Sequence, residues 1–231
     1  MDYSLSINIP AYNDEKSIEA LVGEAHDIAG SIVDKFQILI INDGSKDGTK
    51  EQLERLRQIY TNIKVVHHRD NLGFAETFKE IFSNQDCDVN FIIPGDGQIK
   101  PIILLELWSF LKEYDFILGC RKMRRDNLKR RISSFIYNLL ISVICKRRIR
   151  DVNSAVLYKS KVMDDIKLDS RSALIHAEFL IRVLKKGYKI CEVPIEHYPR
   201  ASGIGSGGKF SVIFDTILEL IKKWGNLNNY R

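Results

Sequence analysis

The chain has 231 residues, of which 45% are hydrophobic, and this is enough for one large or two small domains with a sizeable core. Its longest nearly uninterrupted apolar stretch, Phe135 to Cys145, is far shorter than the roughly 20 residues needed to cross a bilayer, so no transmembrane helix is predicted. The chain starts without signal-peptide features, and its four cysteines form no C-x-x-C pair. These features favour a cytoplasmic protein with reduced thiols over a disulfide-bonded or zinc protein.

The net charge of +5 is unevenly distributed along the chain. Between Arg121 and Arg150 there are 11 Lys or Arg residues and one acid, Asp126, whereas the rest of the chain holds 24 basic and 29 acidic residues. Such a block indicates an anionic partner, either a phosphorylated substrate, an anionic membrane surface or nucleic acid. A solvated surface is the ordinary alternative.

Strands and helices alternate through the first 120 residues of the predicted structure. Hydrophobic periodicity predicts strands at 5–9, 36–41, 63–67, 89–93 and 115–120, and helices from about 18, at 50–60, 74–83 and 101–114. This order predicts a mainly parallel sheet with helices on both faces. No G-x-G-x-x-G turn follows the first strand, so a dinucleotide-binding Rossmann domain is not expected.

The pattern changes near residue 121, where we place an internal boundary. The sequence then predicts a helix at 132–145, a strand at 155–158, a helix at 172–186, a strand at 188–194 and a helix at 212–224. The helix at 132–145 has one polar row, formed by Ser134, Asn138 and Ser142, and basic residues at both ends. It is therefore either an interfacial helix at a membrane or a core helix.

One short segment, Pro94-Gly95-Asp96-Gly97-Gln98, follows a predicted central strand. Glycines on both sides of Asp96 allow a sharp turn and a close approach to a ligand. The carboxyl ends of strands are where open α/β sheets bind ligands, and the oxygens of Asp96 and Gln98 suit Mg²⁺ or Mn²⁺ carrying a diphosphate. A solvated turn is the alternative.

A glycine-rich segment, 203–209, superficially matches a phosphate-binding P-loop. Phe210 stands where the Mg²⁺-binding hydroxyl belongs, and only 22 residues follow Lys209, too few for the sheet of a P-loop enzyme. We interpret the segment as a loop from which Lys209 and the preceding Arg200 reach a phosphate.

Several motifs in order resemble the inverting family 2 glycosyltransferases of the GT-A fold, in particular the dolichyl- or polyprenyl-phosphate sugar synthases. The segment 10–14 (PAYND) is similar to the family's P-x-Y-N-E, and 41–49 (INDGSKDGT) to V-D-D-G-S-x-D-G-T. The segment 94–98 (PGDGQ) takes the place of D-A-D-x-Q, 118–121 (LGCR) that of the G-S-R turn, and 151–154 (DVNS) that of D-P-T-S-G. The stretch from Glu192 to Lys209 is similar to the family's carboxy-terminal E-V-P…R…G-x-S-K.

The resemblance implies one GT-A domain over 1–231, with a nucleotide-sugar half at 1–120 and an acceptor half at 121–231. It implies metal ligation by Asp96 and Gln98, with Mg²⁺ or Mn²⁺ as cofactor. The donor-binding residues that it implies are Pro10, Tyr12, Asp14, Ile41, Asp43, Gly95, Asp96, Gln98 and Arg121. The residues that it implies for catalysis are Asp96, Arg121, Arg130 and Arg131, and those for the acceptor phosphate are Arg130, Ser134, Arg200 and Lys209.

The function expected from these features is metal-dependent transfer of one sugar, with inversion, from a GDP- or UDP-linked donor to a polyprenyl phosphate. A phosphate acceptor needs no strong base, whereas a sugar hydroxyl would need one such as Glu178 or Asp151. We expect a cytoplasmic protein in peripheral contact with the inner face of the membrane, and no nucleic acid partner. The alternatives are a glycosyltransferase acting on a glycan hydroxyl and a non-catalytic sugar-nucleotide-binding module.

Two departures from the family pattern bear on the site. Pro94 stands in place of the first acid of D-x-D, and Asn42 replaces another acid. Glu15, next to Asp14, is a candidate to compensate in part. The family's membrane-anchoring carboxy-terminal helices are also missing from this sequence, so a lipid contact is expected to be peripheral.

Overall fold

Strands and helices alternate along the chain, as expected from its periodicity. In the computed structural model the strands are β1 Leu5–Ala11, β2 Phe36–Asn42, β3 Ile63–His67, β4 Val89–Ile92, β5 Phe116–Arg121, β6 Val156–Lys159 and β7 Ile190–Ile195. The helices are α1 Ile18–Ile32, α2 Thr49–Ile59, α3 Phe74–Ser83, α4 Ile103–Ser109, α5 Leu128–Cys145, α6 Leu174–Lys185 and α7 Phe210–Asn229. Two short 3₁₀ helices span Phe110–Lys112 and Ser160–Met163.

The structure describes residues 2–84, 86–122, 128–164, 166–200 and 210–229. Within these ranges it describes the backbone alone at 128–131, 210–214, 224 and 226–229.

Several predicted element boundaries were wrong. The helix predicted at 101–114 is α4 followed by a 3₁₀ turn, and α5 begins at Leu128 instead of 132. The first strand does not end before Pro10, which pairs with Ile41 of β2. Pro10 is tolerated there because its nitrogen faces the β4 side, where pairing with β4 stops at Asn8 and no ladder bond needs a donor.

The strands form one sheet in the order β3-β2-β1-β4-β6-β5-β7. All neighbouring strands are parallel except β6, which runs antiparallel to both β4 and β5. The predicted mixed, mainly parallel sheet is therefore confirmed. Strands from both sides of residue 121 contribute to this one sheet.

Two apolar clusters cover the two faces of the sheet. Buried residues of α1, α2 and α4 pack on one face with Ile7, Ile38 and Phe91. Buried residues of α3, α5, α6 and α7 pack on the other face with Leu39 and Tyr158. Alternate residues of β2 thus enter opposite clusters, as expected for a strand that is covered on both sides.

The polar row of α5 faces the protein instead of the solvent. Asn138 donates to the carbonyl of Arg150 (2.8 Å) and accepts from the backbone N–H of Val152 (3.1 Å), while Ser142 accepts from that of Ile149 (2.9 Å). The row therefore supplies hydrogen-bond partners to backbone groups in the segment that leads from α5 to β6. Without these side chains, those backbone groups would lack partners. The side of α5 that faces away from the core residues Tyr137, Ile141 and Ile144 carries exposed apolar residues, namely Ile132, Phe135, Ile136, Leu139 and Val143.

The core-helix alternative is confirmed for one side of α5, whereas contact of its other side with a membrane remains a prediction. Tyr137, Ile141 and Ile144 lie in the core, whereas the residues on the other side have no covering element among those described. In the described ranges, no helix is long and apolar enough to cross a membrane.

His176 of α6 is a buried imidazole among aromatic rings. Its ring centroid lies 4.0 Å from that of Phe78 and 4.9 Å from that of Phe74, and neither ring nitrogen has a hydrogen-bond partner among the residues that the structure describes. Burial, with a smaller contribution from the charge of Arg121, lowers the pKa of His176 to about 3. The folded protein therefore holds this histidine neutral.

We predict that His176→Phe makes the protein less sensitive to acid. The unfolded chain protonates His176 below pH ~6.5 and the folded chain does not, so wild-type stability falls as the pH drops from 6.5 towards 3. Urea unfolding at pH 7 and pH 5 should show a loss about 2 kcal/mol smaller in the variant. Equal losses in the two proteins would contradict this prediction.

Candidate functional site

Two predicted donor motifs interlock at the carboxyl ends of β1 and β2. The backbone N–H of Asn13 donates to the Ser45 hydroxyl (3.0 Å), and the Asn13 side chain accepts from the N–H of Lys46 (2.8 Å). The N–H of Asp14 donates to the Thr49 hydroxyl (2.9 Å). Asn13 adopts a left-handed conformation with φ of 54°, which asparagine tolerates better than most residues. The turn after β1 is thereby fixed to the loop after β2.

Asn42, which replaces an acid of the family pattern, has a local structural role. Its amide group lies 2.9 Å from Nδ1 of His67, and its Oδ1 accepts from the hydroxyl and the N–H of Ser45 (2.6 and 3.2 Å). An amide can serve both neighbours at once because it carries a donor and an acceptor. The replacement therefore couples β3 to the loop after β2.

The Asp43 carboxylate is almost fully buried and holds the segment before α3. Oδ1 accepts from the backbone N–H of Leu72 and contacts Nδ1 of His68, both at 2.8 Å, while Oδ2 accepts from Asn71 and from the N–H of Gly73, both at 3.0 Å. Burial opposes the charge of His68, but hydrogen bonds to Glu80 and Asp43 outweigh it and raise its pKa. Contact between Asp43 and a nucleotide remains a prediction.

The other donor residues predicted around this edge differ in accessibility. Pro10 and Tyr12 are half-buried at the end of β1, whereas the side chain of Ile41 is fully buried in the core. Ile41 thus packs in the core beneath the end of β2, and its side chain presents no surface to a ligand.

The turn after β4 carries Gly95, Asp96 and Gln98 to the same edge. Ser17 at the start of α1 donates to the carbonyl of Gly95 (2.8 Å), and the Asp96 carboxylate accepts from the N–H of Gln98 (3.0 Å). Gln98 is also tied to the chain after β7, because its carbonyl accepts from the N–H of Tyr198 (2.8 Å). The Gln98 amide donates weakly to the Tyr198 carbonyl (3.4 Å).

This link brings Arg200 between two carboxylates. Its Nη2 donates to Oδ1 of Asp14 at 2.9 Å, and its Nη1 lies 3.7 Å from Oδ2 of Asp96. Burial raises the pKa of Asp14 to about 6, against the hydrogen bond from the Tyr12 N–H and the charge of Arg200, and the charge of Asp96 adds to the rise. We predicted Arg200 for the acceptor side and Asp14 for the donor side, and the structure brings them into contact.

The residues at this edge fit a hard divalent cation. No group of three His, Cys, Asp or Glu side chains converges on one point within the described part of the chain. Mg²⁺ and Mn²⁺ sites of this kind nevertheless need only one or two carboxylates, because phosphate oxygens of the substrate complete the shell. Asp96, with 19% of its side chain exposed, supplies an accessible carboxylate, and Nη1 of Arg200 lies 3.7 Å from its Oδ2.

Arg121 at the end of β5 forms a nearly buried ion pair with Asp151. Its Nε and Nη2 donate to the two carboxylate oxygens at 2.6 and 2.7 Å, and Nη2 also donates to the carbonyl of Asn153 (2.9 Å). This bidentate geometry orients the guanidinium strongly. Contact of Arg121 with a leaving diphosphate remains a prediction. Nothing in the local sequence around Arg121 or Asp151 indicates that the two residues are partners.

The remaining acceptor-side residues are only partly described. Ser134 is half-buried on the same row of α5 as Asn138. The backbone places Arg130 and Arg131 in the first turn of α5, while their side chains and all of Lys209 lie outside the described part of the structure. Their role at an acceptor phosphate therefore stays a prediction.

Glu178 was wrong as a candidate general base. Its side chain is fully buried and accepts from the backbone N–H of Ser170 (2.9 Å) and from the guanidinium of Arg182 (2.6 Å). A carboxylate so enclosed has a structural role, since no substrate hydroxyl can reach it. Asp151, the other candidate, has both oxygens engaged by Arg121.

Open α/β sheets bind ligands at the carboxyl ends of their strands, and the carboxylates and arginines described above lie at that edge of this sheet. Residues 6–163 match the model of glycosyl transferase family 2. The chain belongs to this family and is a glycosyltransferase.

Relatives of known sequence support the same assignment. An uncharacterized protein of Methanocaldococcus jannaschii is 27% identical over 209 residues, which cover 84% of this chain and 88% of that protein. A dodecaprenyl-phosphate galacturonate synthase of Rhizobium johnstonii is 24% identical over 222 residues. That alignment covers 94% of this chain but only 65% of the Rhizobium enzyme.

Solved structures show the same fold. Glucosyl-3-phosphoglycerate synthase from Mycobacterium tuberculosis, crystallised with Mn²⁺, UDP and glucosyl-3-phosphoglycerate, matches with a TM-score of 0.74 at 15% identity. The match covers 96% of this chain and 80% of that one. The same enzyme with Mg²⁺ and UDP matches with a TM-score of 0.71, also at 15% identity and over the same shares of the two chains. The predicted GT-A fold is thus confirmed.

We predict that Gly95→Ala weakens binding of UDP or GDP in the presence of Mn²⁺. An added Cβ would lie 3.0 Å from Oδ2 of Asp14 and 3.1 Å from the carbonyl oxygen of Pro10, so the Asp14 carboxylate or the turn that carries Asp96 has to move by a few tenths of an ångström. The thermal stabilisation by nucleotide should fall by more than half in a melting assay. Gly225→Ala is the matched control, because its Cβ would meet nothing within 4 Å, and an equal loss there would contradict the prediction.

Proposed function

We propose that this glycosyltransferase transfers a single sugar, with inversion, from a UDP- or GDP-linked donor to a polyprenyl phosphate. It acts at the cytoplasmic face of a membrane and uses Mg²⁺ or Mn²⁺. The similarity to a dodecaprenyl-phosphate galacturonate synthase over 94% of the chain supports this acceptor class. The basic block between Arg121 and Arg150 supports an acidic acceptor and an anionic surface.

One observation favours a phosphate acceptor over a hydroxyl acceptor: the carboxylates of both candidate bases are already engaged by arginines. Glu178 is enclosed by Arg182 and backbone donors, and Asp151 is held by Arg121. A sugar hydroxyl needs a base that removes its proton during attack, whereas a phosphate oxygen is already an anion near neutral pH. The described site therefore suits a nucleophile that needs alignment more than deprotonation.

In the proposed reaction, an oxygen of the acceptor phosphate attacks the anomeric carbon from the side opposite the nucleoside diphosphate. The bond between that carbon and the diphosphate oxygen breaks, and its electrons remain on the diphosphate. Asp96 and Gln98 are proposed to hold the cation, which neutralises the charge growing on the leaving group. Arg130, Arg131, Ser134, Arg200 and Lys209 are proposed to align the acceptor phosphate.

We predict that purified protein with Mn²⁺ consumes a nucleotide sugar in the presence of a short prenyl phosphate and not in the presence of the matching prenol. Asp96→Asn should lower the rate at least a hundredfold, because the leaving group loses its counter-charge. Product formation can be followed by mass spectrometry of the lipid fraction. Turnover that ignores the prenyl phosphate, or transfer to a glycan hydroxyl, would contradict the proposal.

The exposed apolar side of α5 supports contact with an anionic membrane. The side consists of Ile132, Phe135, Ile136, Leu139 and Val143, and Leu218 and Ile221 of the adjoining α7 are also exposed. Arg130 and Arg131 precede this side in sequence, and the exposed Lys146, Arg147 and Arg148 follow it. A second copy fits less well, because parallel or antiparallel pairing of two α5 helices would bring basic ends together. Lipid with anionic head groups matches both features.

We predict that Phe135→Ser combined with Leu139→Ser lowers binding to vesicles containing phosphatidylglycerol at least tenfold. Each lost side chain removes roughly 1.5 kcal/mol or more of apolar burial in the lipid. Phe135 is 69% exposed, and the matched control is Ile59→Ser in α2, where the side chain is 66% exposed and distant in sequence from the basic block. Cosedimentation that is equal for the two variants would contradict lipid docking through α5.

A further inference from the structure

Asp14 and Asp96 form a carboxylate pair across two neighbouring strands. β1 and β4 are parallel partners, so the turns that follow them meet at one edge of the sheet. The two turns lie close together, because Oδ2 of Asp14 is only 3.0 Å from the point that a Cβ of residue 95, the neighbour of Asp96 in sequence, would occupy. Glycine at position 95 is therefore what allows the Asp14 carboxylate to stand beside the turn that carries Asp96.

A single guanidinium serves both carboxylates. Arg200 lies 2.9 Å from Asp14 and 3.7 Å from Asp96, and its Nε has no hydrogen-bond acceptor within the described part of the chain. Two acids facing one arginine leave one negative charge uncompensated in a largely enclosed place. The spot that the guanidinium occupies is thus one where a doubly charged cation would be bound more strongly than a singly charged one.

The sequence lacks an acid at the position where the family pattern has the first residue of D-x-D. Pro94 offers no side-chain ligand, so Asp96 is the one carboxylate in the segment 94–98. Glu15 does not fill this gap, because its carboxylate accepts from the N–H of Gly48 (3.2 Å) on the loop after β2. Asp14 is the acid that the fold brings next to Asp96.

We propose that Asp14 takes the place of the missing acid as a ligand of the divalent cation, and that Arg200 is an internal counter-ion which this cation displaces. The inference rests on the proposed function only in assuming a cation-bound diphosphate. A guanidinium and a metal ion cannot occupy the same point between two carboxylates, so binding of the metal releases Arg200. The released side chain is then free to contact the phosphate of the acceptor, as predicted from the sequence.

A permanent structural ion pair between Arg200 and Asp14 makes the opposite predictions. In that case Arg200 would hold Asp14 away from any metal, and its removal would loosen the turn and weaken metal binding. With exchange, removal of Arg200 takes away a competing positive charge and strengthens it. The direction of the change in Mn²⁺ affinity thus separates the two.

The test is direct measurement of Mn²⁺ binding to the full chain, without donor sugar or acceptor, by electron paramagnetic resonance of the free ion. Arg200→Gln should tighten binding about tenfold and Asp14→Asn should weaken it about tenfold, as expected for loss of a competing charge and of a ligand. Arg200→Lys keeps the charge without the planar fork and should lie near wild type. The double variant should resemble Asp14→Asn alone, because without Asp14 there is little left to release.

Arg55→Gln is the matched control, since Arg55 pairs with Glu19 on an exposed surface of α1 and α2, and it should leave Mn²⁺ affinity unchanged. Circular dichroism and melting curves establish that each variant is folded. Unchanged or weaker Mn²⁺ binding in folded Arg200→Gln would overturn the exchange. Wild-type affinity in Asp14→Asn would overturn the ligand role, and so would a wild-type protein that binds no Mn²⁺ with or without UDP.

Failure of this inference is distinguishable from failure of the proposed function. The binding experiment contains no acceptor, so its result does not depend on whether the acceptor is a prenyl phosphate. Transfer to prenyl phosphate with unaltered Mn²⁺ affinity in both variants would remove the inference and leave the function intact. The expected changes in Mn²⁺ affinity, found in a protein that does not transfer sugar to prenyl phosphate, would support the inference and contradict the proposed function.

Discussion

The parallel pairing of β1 with β4 is the constraint on which the site depends. It places the turn containing Asp14 against the turn containing Asp96, with Gly95 leaving room between them. Two further connections complete this edge: the pairing of β1 with β2 brings the loop after β2 to Asn13, and the chain after β7 brings Arg200. Backbone hydrogen bonds between strands thus determine where the side chains proposed for the chemistry are placed.

The alternation of strands and helices, and the position of Asp96 at a strand end, were predictable from local patterns. Burial on both faces makes β2 a continuous apolar run, and glycines around Asp96 mark a tight turn. These signals involve residues close together in sequence, and they hold whatever the tertiary partners are. The family motifs then fixed the order of the segments and the GT-A fold.

The contacts that define the site were not predictable in the same way, because they join distant parts of the chain. Arg200 and Asp14 are 186 residues apart, and nothing near either residue indicates the other. The polar row of α5 was equally ambiguous, because periodicity shows that Asn138 and Ser142 share a side and does not show which side is inward. The answer depends on the backbone groups of Ile149 and Val152, which need partners once the chain turns back to β6.

The antiparallel course of β6 also shapes how the two halves of the molecule are connected. Because β6 runs against β5, the chain leaves the sheet after Arg121 and re-enters it before Val156 at one and the same edge. The ion pair between Arg121 and Asp151, which are 30 residues apart in sequence, joins the two ends of the segment between β5 and β6. Helix α5 therefore lies in a segment that leaves and rejoins the sheet at one place. Its exposed side can change in surface character without altering the strand order, while Tyr137, Ile141 and Ile144 keep the helix packed on the core.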